Sequence, residues 1–116
     1  MKLKQLLNES SFASQLDAQY PTAKISITEK PNHININMIK VDEKSRGKGT
    51  LRSIVQKITD HADRSNKTVG VEPTGEFGAN KAKLEKFYKQ MGFVKNSGKN
   101  KDFEINMPYV RQPRNN

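Results

Sequence analysis

The run Val41-Asp42-Glu43-Lys44-Ser45-Arg46-Gly47-Lys48-Gly49-Thr50-Leu51 joins a predicted strand to a predicted helix. Its two glycines and its three basic residues lie just before the predicted start of the helix. Backbone N–H groups in the first turn of a helix have no intrahelical partners, and the helix dipole adds partial positive charge there. Glycine lets an anion approach that backbone closely. Composition and spacing predict an anion-binding helix start, with a plain polar turn as an equal alternative.

The spacing of this loop excludes two well-known phosphate-binding motifs. A P-loop needs four residues between its first glycine and the final Gly-Lys-Ser/Thr, and only Lys48 separates Gly47 from Gly49. The dinucleotide fingerprint needs a third glycine three residues after the second, where this chain has Arg52.

The segments before the loop predict helical structure followed by two strands. Residues 3–19 have helical periodicity in two pieces, with Ser10 or Ser11 as a cap for the second and Pro21 ending it. Residues 24–29 and 33–38 alternate between apolar and polar, as strands with one buried face do. The alternation changes phase at Met38-Ile39, which predicts a bulge.

The segments after the loop predict helix, strand, helix and two more extended pieces. Apolar residues recur with helical spacing from Leu51 to Ala62 and again over residues 82–91, where Gly92 is a natural terminator. Residues 68–71 form a β-branched run, residues 93–94 start an extended piece, and Phe103, Ile105 and Met107 alternate as a last strand.

This order of elements predicts an α/β (mixed α+β) domain built on one central, mixed, largely antiparallel sheet flanked by helices. At 116 residues, a single domain is expected over residues 1–110, with a flexible tail over residues 111–116. The sequence does not determine the oligomeric state.

Composition limits the possible chemistry and location. The chain has no cysteine, which excludes disulfides, thiolate metal sites and a cysteine nucleophile. His33 and His61 lack metal-ligand spacing, so no metal is expected. No apolar run is long enough to cross a membrane or to form a signal peptide, so we expect a cytoplasmic protein. The formal net charge of +9 favours anionic partners.

Two segments together resemble the GNAT superfamily of N-acetyltransferases. Lys44-Ser45-Arg46-Gly47-Lys48-Gly49 is similar to the family's Gln/Arg-x-x-Gly-x-Gly/Ala loop, with lysine at the first position. Downstream, Phe87-Tyr88 followed by Gly92-Phe93 looks like the second signature, an apolar-Tyr pair before a Gly-Phe. The resemblance covers residues 34–107 and is closest to compact members of the sort also found in bacteriophages.

The resemblance implies a GNAT-like fold and acetyl-CoA as co-substrate. The backbone of Ile39 and Val41 would pair with the pantetheine arm, and the amides of residues 46–50 would hold the pyrophosphate. Further cofactor contacts would involve the remaining residues of the two signatures and their surroundings, namely Lys44, Ser45, Arg46, Gly47, Lys48, Gly49, Thr50, Asn80, Phe87 and Lys89. Asn80 lies one residue out of the family register.

The resemblance also implies direct acetyl transfer without a covalent enzyme intermediate. Tyr88 would be the general acid for the leaving thiolate, with an unshifted pKa of about 10. Glu72, at the end of its strand, is the first choice of general base. Glu43, Asp42, His33 and a chain of waters are the alternatives.

The acceptor would be an amine, and a protein lysine, a lysine of a nucleic-acid-bound protein and a small amine all remain open. A different class of function is a non-enzymatic basic adaptor that binds nucleic acid or an acidic protein, which rests on the +9 charge. A degenerate member that binds coenzyme A without catalysis is a third possibility, because of Lys44 at the Gln/Arg position and the unassigned base.

Overall fold

A computed structural model describes residues 11–45, 47–73, 80–98, 101–102 and 104–114. The helices and strands are, in chain order, α1 (Phe12–Gln19), β1 (Ala23–Glu29), β2 (His33–Val41), α2 (Thr50–Ser65), β3 (Thr68–Val71), α3 (Lys81–Gln90), β4 (Val94–Lys95) and β5 (Tyr109–Arg111). The strands form one sheet in the order β1-β2-β3-β5-β4, with β2 and β3 parallel and the other neighbours antiparallel. The predicted fold class is confirmed. Within the described ranges, no helix is long and apolar enough to cross a membrane.

Helix α1 is the second half of the predicted first helical segment, and the residues before Ser11 lie outside the described part of the chain. The Ser11 hydroxyl accepts a hydrogen bond from the Ser14 N–H at 3.2 Å, so the predicted serine cap is confirmed. The helix ends at Gln19, two residues before Pro21, and buries Leu16 against the sheet.

Strand β2 contains the predicted bulge. Ile27 of β1 lies opposite Ile36, but Ile25 lies opposite Ile39, so β2 has one more residue than β1 between the two pairs. The extra residue is Asn37. Because Ile25 and Ile27 face the same side of the sheet, the bulge brings Ile36 and Ile39 to that side as well.

Helix α2 connects β2 to β3 and covers the core. Its predicted apolar stripe is buried, with Ile54, Ile58 and Ala62 all inaccessible to solvent. Asn66 ends the helix in the left-handed conformation, with φ of 57°. All four residues of β3 are buried, which explains the continuous β-branched run of this central strand.

The predicted last strand is wrong, because Ile105 and Met107 lie in a loop and the strand starts at Tyr109. The Asn96 side-chain amide donates to the backbone carbonyls of Ile105 and Met107, both at 2.9 Å, so a side chain bonds groups that a neighbouring strand would otherwise bond. The two side chains pack on β3 at Gly70, where a Cβ would come within 2.7 Å of Ile105 Cγ2. Phe103 lies outside the described residues.

The prediction of a flexible tail from residue 111 is wrong for Arg111 itself. Arg111 belongs to β5 and is 7% exposed. Its guanidinium donates to both carboxylate oxygens of Asp63 in α2, at 2.8 and 3.2 Å. The Arg114 N–H donates to the same carboxylate at 2.9 Å, which fixes the chain beyond β5 against α2.

Asp63 makes part of the stability dependent on pH. The hydrogen bonds from Arg111 hold the Asp63 pKa below its usual value, against partial burial, and the Arg114 N–H adds to the lowering. A carboxyl group with a lowered folded pKa stabilises the fold above its unfolded pKa, about 4, and this contribution is lost as the pH falls through the folded value.

We therefore expect the stability difference between the wild type and Asp63→Asn to shrink as the pH falls below about 4. Urea titrations of both proteins between about pH 7 and pH 3 measure this difference as a free energy of unfolding. A difference that stays constant over the whole range would contradict the assignment.

Candidate functional site

A cavity opens where β2 and β3 separate. Their parallel pairing ends at Ile36 opposite Val71, whereas β2 continues to Val41. The cavity has a volume of about 510 Å³ and is lined by the second half of β2, the end of β3, the glycine loop, the start of α2 and one face of α3. This volume lies in the range of small-molecule sites in proteins.

The glycine loop, between β2 and α2, forms one wall of this cavity. Ser45, Gly47, Gly49 and Thr50 line it. Lys44 and Lys48 are exposed and are not brought to the cavity wall. Arg46 lies outside the described residues.

The start of α2 is suited to hold an anion. The first intrahelical hydrogen bond runs from the Ser53 N–H to the Gly49 carbonyl at 3.0 Å, so the N–H groups of Thr50, Leu51 and Arg52 lie outside the helical ladder. No side chain caps this helix and no acidic residue occupies its first turn. By contrast, Ser11 caps α1 and Asn80 caps α3. A ligand anion could therefore take the place of the missing cap.

Gly47 and Gly49 meet the steric requirements of such a site. Both have φ of 80°, a left-handed conformation that other residues adopt at a cost. A Cβ at either position would meet no atom of the described structure within 4 Å. The loop therefore leaves open space beside its backbone, which a phosphate can approach.

Tyr88 lies at the inner wall of the cavity and is 4% exposed. Its ring packs edge-on against Phe87 and Phe93, with centroid distances of 5.1 and 5.3 Å. The expectation of an unshifted tyrosine is wrong, because burial raises the pKa of Tyr88 far above its usual value. The hydroxyl therefore stays protonated throughout the neutral and mildly alkaline range, and it is a weaker acid than a solvated tyrosine.

Glu72 is the one candidate base that the structure brings to the cavity. It follows β3 directly, is exposed, and lines the cavity together with Pro73. Asp42 and Glu43 are exposed and do not contribute to the lining. His33 starts β2, at the end of the strand remote from the cavity.

Helix α3 and its cap bring Asn80 and Phe87 to the cavity but not Lys89. Asn80 lines the cavity, but its side-chain oxygen accepts from the Lys83 N–H at 3.1 Å, so its first role is to cap the helix. Phe87 lines the cavity, and so do Ile39 and Val41 of β2, which are further predicted cofactor contacts. Lys89 is exposed and lies outside the lining, which includes Lys83 instead.

The comparisons with known proteins concern the fold. No protein-family model matches the chain, and no curated protein matches it. The fold is similar to that of the anti-CRISPR protein AcrVA5. The similarity to this crystal structure covers 78% of the present chain and 88% of the other, with a TM-score of 0.58 and 15% sequence identity.

Two basic residues of the cavity, Arg52 and Lys83, were missed in the sequence. The Arg52 guanidinium lies 5.4 Å from the centroid of the Phe87 ring and donates to Gln90 Oε1 at 3.4 Å, which links the start of α2 to α3. Lys83 precedes Phe87 by four residues, so the two side chains share one face of α3. The four-residue spacing between Lys83 and Phe87 was the sequence signal that could have identified Lys83 as a cavity residue. Among the described lining residues, Lys40, Arg52 and Lys83 are basic and Glu72 is the one acidic residue.

The two histidines have no catalytic surroundings. His61 stacks on Phe12, with ring centroids 4.0 Å apart, and lies 2.9 Å from the Glu29 carboxylate. His61 thus has a stacking partner and a hydrogen-bond partner within the fold. In the described part of the chain, no group of three His, Asp or Glu side chains could hold a metal ion.

Proposed function

We propose that the chain binds acetyl-CoA in this cavity and transfers its acetyl group directly to an amine. The observation that carries the proposal is the uncapped, acid-free start of α2 at the mouth of a cavity between two separating parallel strands. The N–H groups of Thr50, Leu51 and Arg52 supply the donors that a diphosphate needs. The fold shared with AcrVA5 and the resemblance of the two sequence signatures to GNAT enzymes support the same conclusion.

The remaining wall of the cavity suits the rest of the ligand. β2 continues beyond its pairing with β3 for a further five residues, Asn37–Val41, and this segment can accompany an extended amide-bearing chain such as pantetheine. Lys83 and Arg52 add positive charge near the anion site, as binding of a highly charged nucleotide requires.

Acetyl-CoA, when bound, supplies a thioester whose carbonyl carbon is attacked by the acceptor nitrogen as the C–S bond breaks. Glu72, or a water that it holds, accepts the proton that the nitrogen loses. Tyr88 donates a hydrogen bond to the leaving sulfur and supplies its proton. Because burial raises the pKa of Tyr88, proton delivery is less favourable than from a solvated tyrosine, and stabilisation of the sulfur by the hydrogen bond gains importance.

Calorimetric titration with coenzyme A and with acetyl-CoA tests the binding step. We expect micromolar to millimolar affinity for both ligands. Absence of binding at millimolar ligand would eliminate the proposal and favour the basic-adaptor alternative, which salt-dependent binding to nucleic acid in the absence of any acetyl-CoA effect would then support.

Replacement of Tyr88 by phenylalanine tests the transfer step. We expect turnover to fall by about one to two orders of magnitude, as is typical for loss of an acid catalyst, because the buried ring is kept and only the hydroxyl is lost. Acetyl-CoA affinity, measured by calorimetry, should stay within about twofold of the wild type. Unchanged turnover would remove Tyr88 from the mechanism.

A coenzyme A-binding protein without transferase activity is the second candidate. The raised pKa of Tyr88 favours this candidate, because it makes Tyr88 a weaker general acid than a solvated tyrosine. Tight binding of acetyl-CoA without acetylation of polyamines, lysine peptides or candidate proteins would support this alternative. Because AcrVA5 is an anti-CRISPR protein, lysines on protein components of CRISPR systems belong among the acceptors to be tested.

A further inference from the structure

Helix α3 carries an unusual concentration of positive charge. Lysine occupies positions 81, 83, 86 and 89, and Glu85 is the single acidic residue of this ten-residue helix. Lys83, Lys86 and Lys89 are three residues apart, so they form a continuous row on the helix surface, and all three are exposed. With a rise of about 1.5 Å per residue, the row extends for about 9 Å along the helix axis.

This lysine row opposes the stability of the helix that carries it. Like charges three residues apart repel each other, and Lys81 and Lys83 place positive charge at the positive end of the helix dipole. Within the described ranges, no carboxylate lies within the 4.0 Å ion-pair distance of these lysines. Glu85 is the single carboxylate of the helix and offsets at most one of its four lysine charges. Stability alone therefore gives no reason for the row.

The chemistry of the row identifies the kind of partner. Protein–protein interfaces are depleted in lysine and enriched in aromatic residues and arginine at their centres. The exposed positions of α3 carry lysine, alanine and glutamine, while its aromatic residues Phe87 and Tyr88 face the cavity and the core. Lysine side chains of this kind contact phosphate oxygens as mobile point charges and carry no base recognition.

We propose that the lysine row of α3, which runs from Lys83 at the cavity wall to Lys86 and Lys89 outside the cavity, docks the phosphate backbone of double-stranded nucleic acid without sequence preference. The net charge of +9 provides long-range attraction, and the row provides the local contact. Lys83 also lines the cavity, so a docked duplex would run beside the cavity mouth. The inference does not depend on acetyl-CoA binding.

Fluorescence anisotropy with a labelled duplex of arbitrary sequence tests the surface. The variant Lys86→Gln/Lys89→Gln removes two charges outside the cavity and keeps residues that favour helix. The matched control is Lys30→Gln/Lys57→Gln, which removes two exposed lysines from a turn and from α2. In the α3 variant, we expect the slope of log affinity against log salt concentration to become less negative by about 1.8. The affinity for the duplex at about 0.1 M salt should fall at least about tenfold.

The control variant should keep the wild-type slope and bind within about threefold of the wild type, because its lysines lie away from the proposed contact. An equal loss of duplex affinity in the two double variants would overturn the proposal, because net charge, and not the lysine row, would then determine binding. Absence of duplex binding at low salt would overturn it as well. Competition by polyglutamate as effective as that by unlabelled duplex would assign the surface to an acidic protein instead.

Discussion

Glutamate at position 50 should lower the affinity for acetyl-CoA by a factor of roughly 10² while leaving the protein at least as stable as the wild type. Thr50 is the first residue of α2 and lines the cavity at the proposed diphosphate site. A carboxylate in the first turn of a helix interacts favourably with the helix dipole, by about 0.3–1 kcal/mol. α2 has no acidic residue there, so Thr50→Glu supplies a stabilising charge that the natural sequence lacks.

The same charge would repel a bound diphosphate. Two unit charges about 5 Å apart repel each other by about 3 kcal/mol at the effective dielectric constant of a protein surface, which corresponds to a factor of roughly 10² in affinity. The opposite signs of the two effects make this variant informative, because a loss of ligand binding caused by unfolding would be accompanied by a lower melting temperature.

Calorimetry with acetyl-CoA and thermal unfolding of the free protein measure both effects. Thr50→Gln is the matched control, since it has nearly the same size without the charge, and we expect it to bind acetyl-CoA within about tenfold of the wild type. If glutamate and glutamine reduce the affinity equally, the effect is steric. If the Thr50→Glu variant binds acetyl-CoA as tightly as the Thr50→Gln variant, the diphosphate does not lie at the start of α2.

Replacement of Asn96 by aspartate should have the largest effect on stability. Asn96 is 6% exposed, and its amide nitrogen donates to the carbonyls of Asp102, Ile105 and Met107 at 3.3, 2.9 and 2.9 Å. Its oxygen accepts from the Asp102 N–H. Aspartate keeps the shape but replaces a shared donor by a charged acceptor that faces three carbonyl oxygens.

We expect Asn96→Asp to reduce the free energy of unfolding by about 3–5 kcal/mol, because buried hydrogen-bonding groups lose their partner and a charge is buried among acceptors. That is a large part of the total stability of a typical small domain. Urea unfolding measures the change. Asn106→Asp is the control, since Asn106 is exposed in the same loop and its replacement should cost less than about 0.5 kcal/mol. Similar small effects in both variants would show that Asn96 does not organise the loop.

Much of the fold could be predicted because local patterns and tertiary structure agree. The apolar stripe of α2 predicted its buried face, and the phase change at Met38-Ile39 predicted a bulge in β2, which the structure places at Asn37. The glycine loop likewise lies between a strand and a helix, β2 and α2, as its sequence predicted. In each case the residues that determine the structure are neighbours in the sequence.

The errors concern residues whose role depends on distant partners. Ile105 and Met107 alternate as a strand would, but Asn96 binds their carbonyls and Gly70 admits their side chains, so they form a loop over β3. Arg111 lies in a polar stretch that is typical of a flexible tail, but its guanidinium donates to the carboxylate of Asp63, 48 residues earlier in the chain.

The sequence by itself determined that a basic loop with two glycines joins β2 to α2, because chain neighbours specify such a loop. That the backbone N–H groups of this helix start bind an anion stays a prediction. The tertiary structure alone decided which side chains reach the resulting cavity. It brought Lys83 there in place of Lys89, since the packing of α3 against the core sets which face of that helix lines the cavity. It also buried Tyr88 deeply enough to raise its pKa, because desolvation depends on all the elements that surround the ring and on no single stretch of chain.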